Sequence, residues 1–117
     1  MKGFYGGLDL GGTNTAAAVM GADGRVLAQG RRPTRAERAP YEIAEDMAEL
    51  IHSLLREAGQ EPDGLLAVGI GVPGSVRGEG LVTCVNLHWK DVPLIDEMRR
   101  FFDCPVRLAN DAYCAGL

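Results

Sequence analysis

The chain has 117 residues, a formal net charge of −4 and three cysteines. That length makes one domain able to bury roughly 65% of its unfolded surface without disulfides, and mild acidity with scattered Lys and Arg argues against a nucleic-acid binder. No apolar run approaches a membrane span, and Asp9 interrupts the apolar start before it reaches signal-peptide length, so the composition reads as a cytoplasmic protein with no membrane partner. Cys84, Cys104 and Cys114 form no CxxC pair or zinc ribbon, which suits a reducing compartment and buried small hydrophobes.

Residues 3–10 and 15–20 are two runs of strand length joined by Asp9, Leu10, Gly11, Gly12, Thr13 and Asn14, which predicts a β-hairpin. A turn at residues 21–24 leads to a third short strand at 25–30, completing an antiparallel meander. Ala16, Ala17 and Ala18 are weak strand formers, small enough to let something pack closely over them. Arg31, Arg32, Arg35 and Arg38, lying between two prolines and diluted by Glu37, read as a solvated loop and not as a phosphate patch.

From Pro40 the period becomes helical. Ile43, Met47, Leu50, Ile51, Leu54, Leu55 and Ala58 share one stripe, Pro40 suits the first turn and Gly59 suits a C-terminal cap. His52 lies beside the stripe with no second ligand at metal spacing and reads as structural or exposed. After a turn at 61–64, residues 65–72 form a near-continuous apolar run, as expected of a parallel strand covered on both faces and reached by a helical crossover.

That run ends in Gly69, Ile70, Gly71, Val72, Pro73 and Gly74, a formal GxGxxG. A dinucleotide fingerprint needs a helix to open inside the glycines, and residues 74–80 cannot support one, so the match reads as a strand-end turn. Residues 81–85 predict a short strand, followed by a polar-aromatic loop at 86–89, where Trp89 could be a core anchor and Asn86 a turn residue. Asp91 or a neighbour is expected to cap a short helix from Pro93, with Leu94, Ile95, Met98, Phe101 and Phe102 as its apolar side. Residues 104–109 are the next strand, and Asn110 is a good N-cap for a helix in which Asp111 would be held anionic by the helix dipole.

The candidate chemistry sits at strand ends. Gly11 and Gly12 let a phosphate oxygen approach backbone N–H groups, Thr13 and Asn14 add hydrogen-bonding arms, and Asp9 is placed to hold Mg²⁺ through water. A plain hairpin with a polar tip is the alternative for that hexad alone. Asp9, residues 11–14, Pro73 with Gly74, and Asn110 with Asp111 together fall where α/β folds commonly place ligands.

DLGGTN at 9–14, GIGVPGSV at 69–76, NLHW at 86–89 and LANDA at 108–112 resemble, in order, the motifs of the ROK sugar kinases and regulators, within the actin, hexokinase and Hsp70 superfamily. The resemblance implies an α/β, ribonuclease H-like (actin-like ATPase) lobe: a mixed sheet with an antiparallel three-strand meander, then parallel strands and crossover helices. It implies ATP and Mg²⁺ at Asp9, Gly11, Gly12, Thr13 and Asn14, a hexose such as glucose lined by Gly74, Asn86, Asn110 and Asp111, and Asp111 as catalytic base. Such a carboxylate need not be a strong base, because phosphoryl transfer is mostly positioning and charge stabilisation.

Tyr113 and Cys114 depart from the small residues the family has after its catalytic Asp. The family's second lobe, with further sugar ligands, a cysteine-rich zinc motif and the adenosine pocket, has no counterpart in residues 1–117, so the expectation is an N-terminal lobe, inactive alone, whose partners are sugar, nucleotide and that second lobe. The exposed lobe interface is expected to favour self-association. The alternative is the sugar-sensing domain of a ROK-type regulator. Those carry a helix-turn-helix segment first, whereas the kinase-like strand here starts at Phe4.

Overall fold

The computed structural model describes residues 3–78 and 80–110. Strands β1 (Phe4–Leu10), β2 (Asn14–Gly21) and β3 (Val26–Pro33) form the expected antiparallel meander, and helix α1 (Pro40–Glu57) crosses to β4 (Leu65–Val72), which lies parallel to β1. An antiparallel annex follows, made of β5 (Ser75–Arg77), β6 (Leu81–Cys84) and β7 (Trp89–Pro93). Helix α2 (Leu94–Arg99) then leads to β8 (Val106–Asn110), parallel to β4. The main sheet is ordered β3-β2-β1-β4-β8, a mixed sheet of the kind the resemblance implies.

The period of two explains which face is buried. Leu8 and Leu10 of β1 lie level with Ala17 and Thr15 of β2, and Leu8 with Ile70 of β4; all five are buried. Over that face lies α1, burying Ile43, Met47, Leu50, Ile51, Leu54 and Leu55, each side chain stabilising by about 1.5–3 kcal/mol. A Cβ on Gly6 would stand 3.2 Å from Ile51, so the bare glycine is what lets the helix sit this low. The helix ends are those its sequence predicts. Pro40 opens it, the Glu42 carboxylate accepts the Ala39 N–H at 3.0 Å, and Gly59 (φ +73°) closes it, with Gly59 and Gln60 donating to the carbonyls of Arg56 and Leu55.

Several expectations are corrected. Strand β4 is covered unevenly on its second face: Val68, Ile70 and Val72 are buried on the face that α1 and α2 cover, whereas on the other Gly71 is buried, Ala67 half-buried and Gly69 exposed. Of the three alanines on β2, Ala17 is buried with Thr15 and Val19 on the α1 face, and Ala16 and Ala18 face away. The arginine cluster is a solvated loop only in part, at the exposed Arg35. Arg31 and Arg32 belong to β3, and Arg32 and Arg38 converge on Asp46 of α1 at 2.9 and 3.3 Å. Asp91 caps no helix; Pro93 holds the N-cap position of α2, and Asp91 (φ +51°) lies within β7, pairing Arg77 at 2.8 Å and donating its N–H to Thr83. Residues 86–89 divide between a short 3₁₀ turn (Val85–Leu87) and the start of β7.

Trp89 is a buried core residue, and the His52 ring packs against Phe102 with centroids 5.2 Å apart, the structural role expected of that histidine. Cys84 is buried and Cys104 half-buried. No helix among the described residues is long and apolar enough to cross a membrane. The helix expected from Asp111, with Tyr113 and Cys114, lies outside the described residues.

Candidate phosphate-binding turn and strand-end site

Three parallel strands point their C-terminal ends the same way. Asp9 of β1 is level with Gly71 of β4, which is level with Ala109 of β8, and Val72 is level with Asn110. At the usual strand spacing this places β1 and β8 about 10 Å apart, with the turn after β1, the turn after β4 and the end of β8 along one edge.

The 11–14 turn is tightly made. Gly11 donates its N–H to the Asn14 carbonyl at 3.1 Å, and a Cβ on Gly11 would lie 2.6 Å from that oxygen, which excludes any larger residue. Among the described residues, no backbone acceptor takes the N–H of Gly12 or Thr13. These are the donors a phosphate would need. Beside them, Asp9 stands exposed on the sheet face opposite α1, between Ala16 of β2 and Gly71 of β4, where no bulky neighbour shields it. No ion pair engages it among the described residues, so its oxygens are open to a hydrated Mg²⁺; open N–H donors and a free carboxylate together fit a metal-bound phosphate group.

Asn86 meets this turn directly. It is exposed on the 3₁₀ turn after β6, and a Cβ on Gly12 would approach its Cβ to 3.1 Å. Gly74 explains how Asn86 comes there: any side chain at Gly74 would fall on the Thr83 carbonyl oxygen, so the turn after β4 lies flat against β6 two residues before Val85. Asn110 ends β8 at the same edge, and Asp111 lies outside the described residues. Asp9, residues 11–14, Gly74, Asn86 and the Asn110 backbone are thus brought together.

Two groups escaped the sequence reading. Thr15 and Thr34 are buried, and their hydroxyls lie 2.8 Å apart beneath the turn. Thr34 follows a proline in an arginine-rich stretch, and only its burial marks it. Asp9, Thr13, Asn14 and Asn86 are exposed, so among the described residues the strand-end site is a shelf. A cavity of about 290 Å³, lined by His52, Asp63, Phe102 and Cys104, is at the far end of β4. At that far cavity, burial raises the Cys104 thiol above its ordinary value, a backbone hydrogen bond pulls it back, and the Asp103 charge raises it further.

Comparison with known proteins agrees with the fold. The family model described as the ROK family matches residues 5–117. A ROK hexokinase from Thermus thermophilus superposes with a TM-score of 0.82 at 35% identity, covering 98% of this chain and 37% of that one. A ROK family glucokinase from Streptomyces griseus, in complex with glucose and AMPPNP, superposes with a TM-score of 0.82 at 29% identity, covering 97% and 35%. A xylose repressor from Caldicellulosiruptor bescii is 34% identical over 90 residues, covering 69% of this chain and 23% of the repressor. The chain therefore spans a little over a third, at most, of the length of these relatives.

Proposed function

This chain belongs to the ROK family, and we propose that it supplies the N-terminal lobe of a two-lobe, ATP-dependent sugar kinase acting on a hexose such as glucose. The observation that carries this is the 11–14 turn, whose Gly12 and Thr13 N–H groups meet no backbone acceptor among the described residues, with Asn86 against Gly12 and Asp9 exposed at the end of the strand that leads into the turn. In this reading Gly12 and Thr13 donate to the nucleotide phosphates, with the Thr13 hydroxyl and Asn14 amide beside them. Asp9 holds Mg²⁺ through water, and the ion, when bound, offsets phosphate charge. Asn86 and Asn110 both donate to and accept from sugar hydroxyls. Gly74 keeps the sugar side close-packed, and Asp111 takes the proton of the attacking hydroxyl as that oxygen bonds to the γ-phosphorus and the bond from that phosphorus to the bridging oxygen breaks, with ADP as leaving group.

Because the chain covers only 37% and 35% of the two solved ROK kinases it resembles, the rest of the adenosine and sugar contacts in this reading come from a second lobe, and residues 1–117 alone are expected to phosphorylate negligibly. A coupled phosphorylation assay of the complete gene product, with a panel of hexoses and amino sugars, tests the reading beside Asp111→Asn. One sugar should be turned over, and the variant should lose about a hundredfold or more in kcat. An Asp111→Asn enzyme of full activity would refute the base assignment. The match to a xylose repressor favours a second reading, a sugar-sensing domain of a transcriptional regulator. Saturable sugar binding without phosphoryl transfer would decide for it.

A further inference from the structure

We propose that Thr34 is a positioning residue for the nucleotide: it aims the Gly12 N–H out of the turn, and Arg38 and Asp46 tie it to α1. The proposal rests on the phosphate-binding reading of that turn. Thr34 is only 2% exposed, and every polar group it has is engaged. Its hydroxyl donates its single proton to the Gly11 carbonyl at 2.7 Å, so the 2.8 Å contact with Thr15 must have Thr15 as donor. Its N–H donates to the Thr13 carbonyl at 2.8 Å, and its carbonyl accepts from the Arg38 guanidinium at 2.8 Å. That guanidinium nitrogen also reaches Asp46 at 3.3 Å, and Arg32 holds the other Asp46 oxygen at 2.9 Å.

The consequence follows from peptide geometry. The Gly11 carbonyl and the Gly12 N–H belong to one rigid trans peptide and point in opposite directions. Pinning the carbonyl inward onto a buried hydroxyl therefore turns the Gly12 N–H outward, towards the shelf where Asp9 is open. Gly11 and Gly12 resist rotation least of all residues, so without this anchor the plane could swing. Pinning Thr13 from the same residue closes the other end of the turn. A phosphate then meets a donor already aimed at it, with little ordering left to do on binding.

The test uses the complete gene product with Thr34→Val, which keeps the shape and removes the hydroxyl, and Thr34→Ser, which restores it. Thr34→Val should raise the KM for ATP about tenfold, leave the KM for the sugar within about twofold, and be rescued by Thr34→Ser. Equal shifts in both constants, or none, would overturn the proposal. If Thr34→Val does not accumulate as folded protein, Arg38→Gln loosens the same bracket from behind and should raise the ATP KM about threefold; an unchanged value would count against the idea. If the unsubstituted protein transfers no phosphoryl group, the kinase reading fails separately. Amide hydrogen exchange over residues 11–14 then decides: faster in Thr34→Val than in Thr34→Ser supports positioning, and equal rates overturn it.

Discussion

Two glycines set the site by the side chain they lack, and they should fail differently. At Gly74 the obstacle to a Cβ is the backbone of Thr83 and Cys84, which cannot swing aside. Gly74→Ala should therefore destabilise the fold by about 3 kcal/mol, the upper range for overpacking, read as a lower urea midpoint; an unchanged midpoint would contradict the close approach. At Gly12 the obstacle is the Cβ of exposed Asn86, on a short turn that can yield. Gly12→Ala should leave the midpoint nearly unchanged while weakening ligand binding. Cys104 gives a pH-dependent prediction at the same scale. Burial, then Asp103, outweigh the backbone hydrogen bond that lowers its pKa, so the neutral thiol is favoured in the folded protein. Its stabilisation is present while the unfolded thiol stays protonated and is lost as pH rises through the folded value. Iodoacetamide should alkylate Cys104 more slowly at pH 8 than a free thiol, and an equal rate would argue against the shift.

Elements whose signals are local were legible, and those made by distant pairing were not. Helix α1 could be read end to end, because its apolar stripe, Pro40 and Gly59 all lie within one stretch of chain. Strands β5 and β7 could not. Ser75, Val76 and Arg77 are all exposed, and Trp89–Pro93 ends in a proline, so their strand character comes from pairing with β6 and not from periodicity. The turn at 11–14, proposed to hold phosphate, was legible as a tight polar turn because Gly-Gly-Thr-Asn carries its chemistry in its own residues. Thr34 was not, since the partners of its hydroxyl are 23 and 19 residues away. The arginines show the same limit: charge announces a surface, but only the fold reveals that Arg32 and Arg38 grip Asp46 from either side of the β3 to α1 connection. Asp46→Ala releases both pairs. The groups are part-exposed, so the loss should be about 1 kcal/mol, measurable as a lower urea midpoint that 1 M salt largely erases. A loss that salt leaves intact would mean packing, not charge, carries the contact.

Across the described residues, the two helices cover one face of the main sheet, and the other is built mostly from small residues with Tyr5 and Met20 among them. Gly7 and Tyr5 of β1, Ala16, Ala18 and Met20 of β2, and Ala67 and Gly69 of β4 all face away from α1, and Tyr5 and Gly69 are exposed. The order of motifs could be read from the sequence, but this one-sidedness could not: an apolar run such as Leu65–Val72 looks the same whether its second face is covered or only coverable. A sheet face built from Gly and Ala has few side chains to hold water or to block another surface, which makes it sticky when left open. The isolated 117-residue chain should therefore self-associate as its concentration rises, through this face. Sedimentation velocity over a hundredfold concentration range reads this directly. Replacing Ala18, at the centre of β2, with Lys should shift the distribution back to monomer without altering the meander, since Ala18 points away from the core. A monomer at every concentration, or association that Ala18→Lys leaves untouched, would show that the open face is not the surface that drives association.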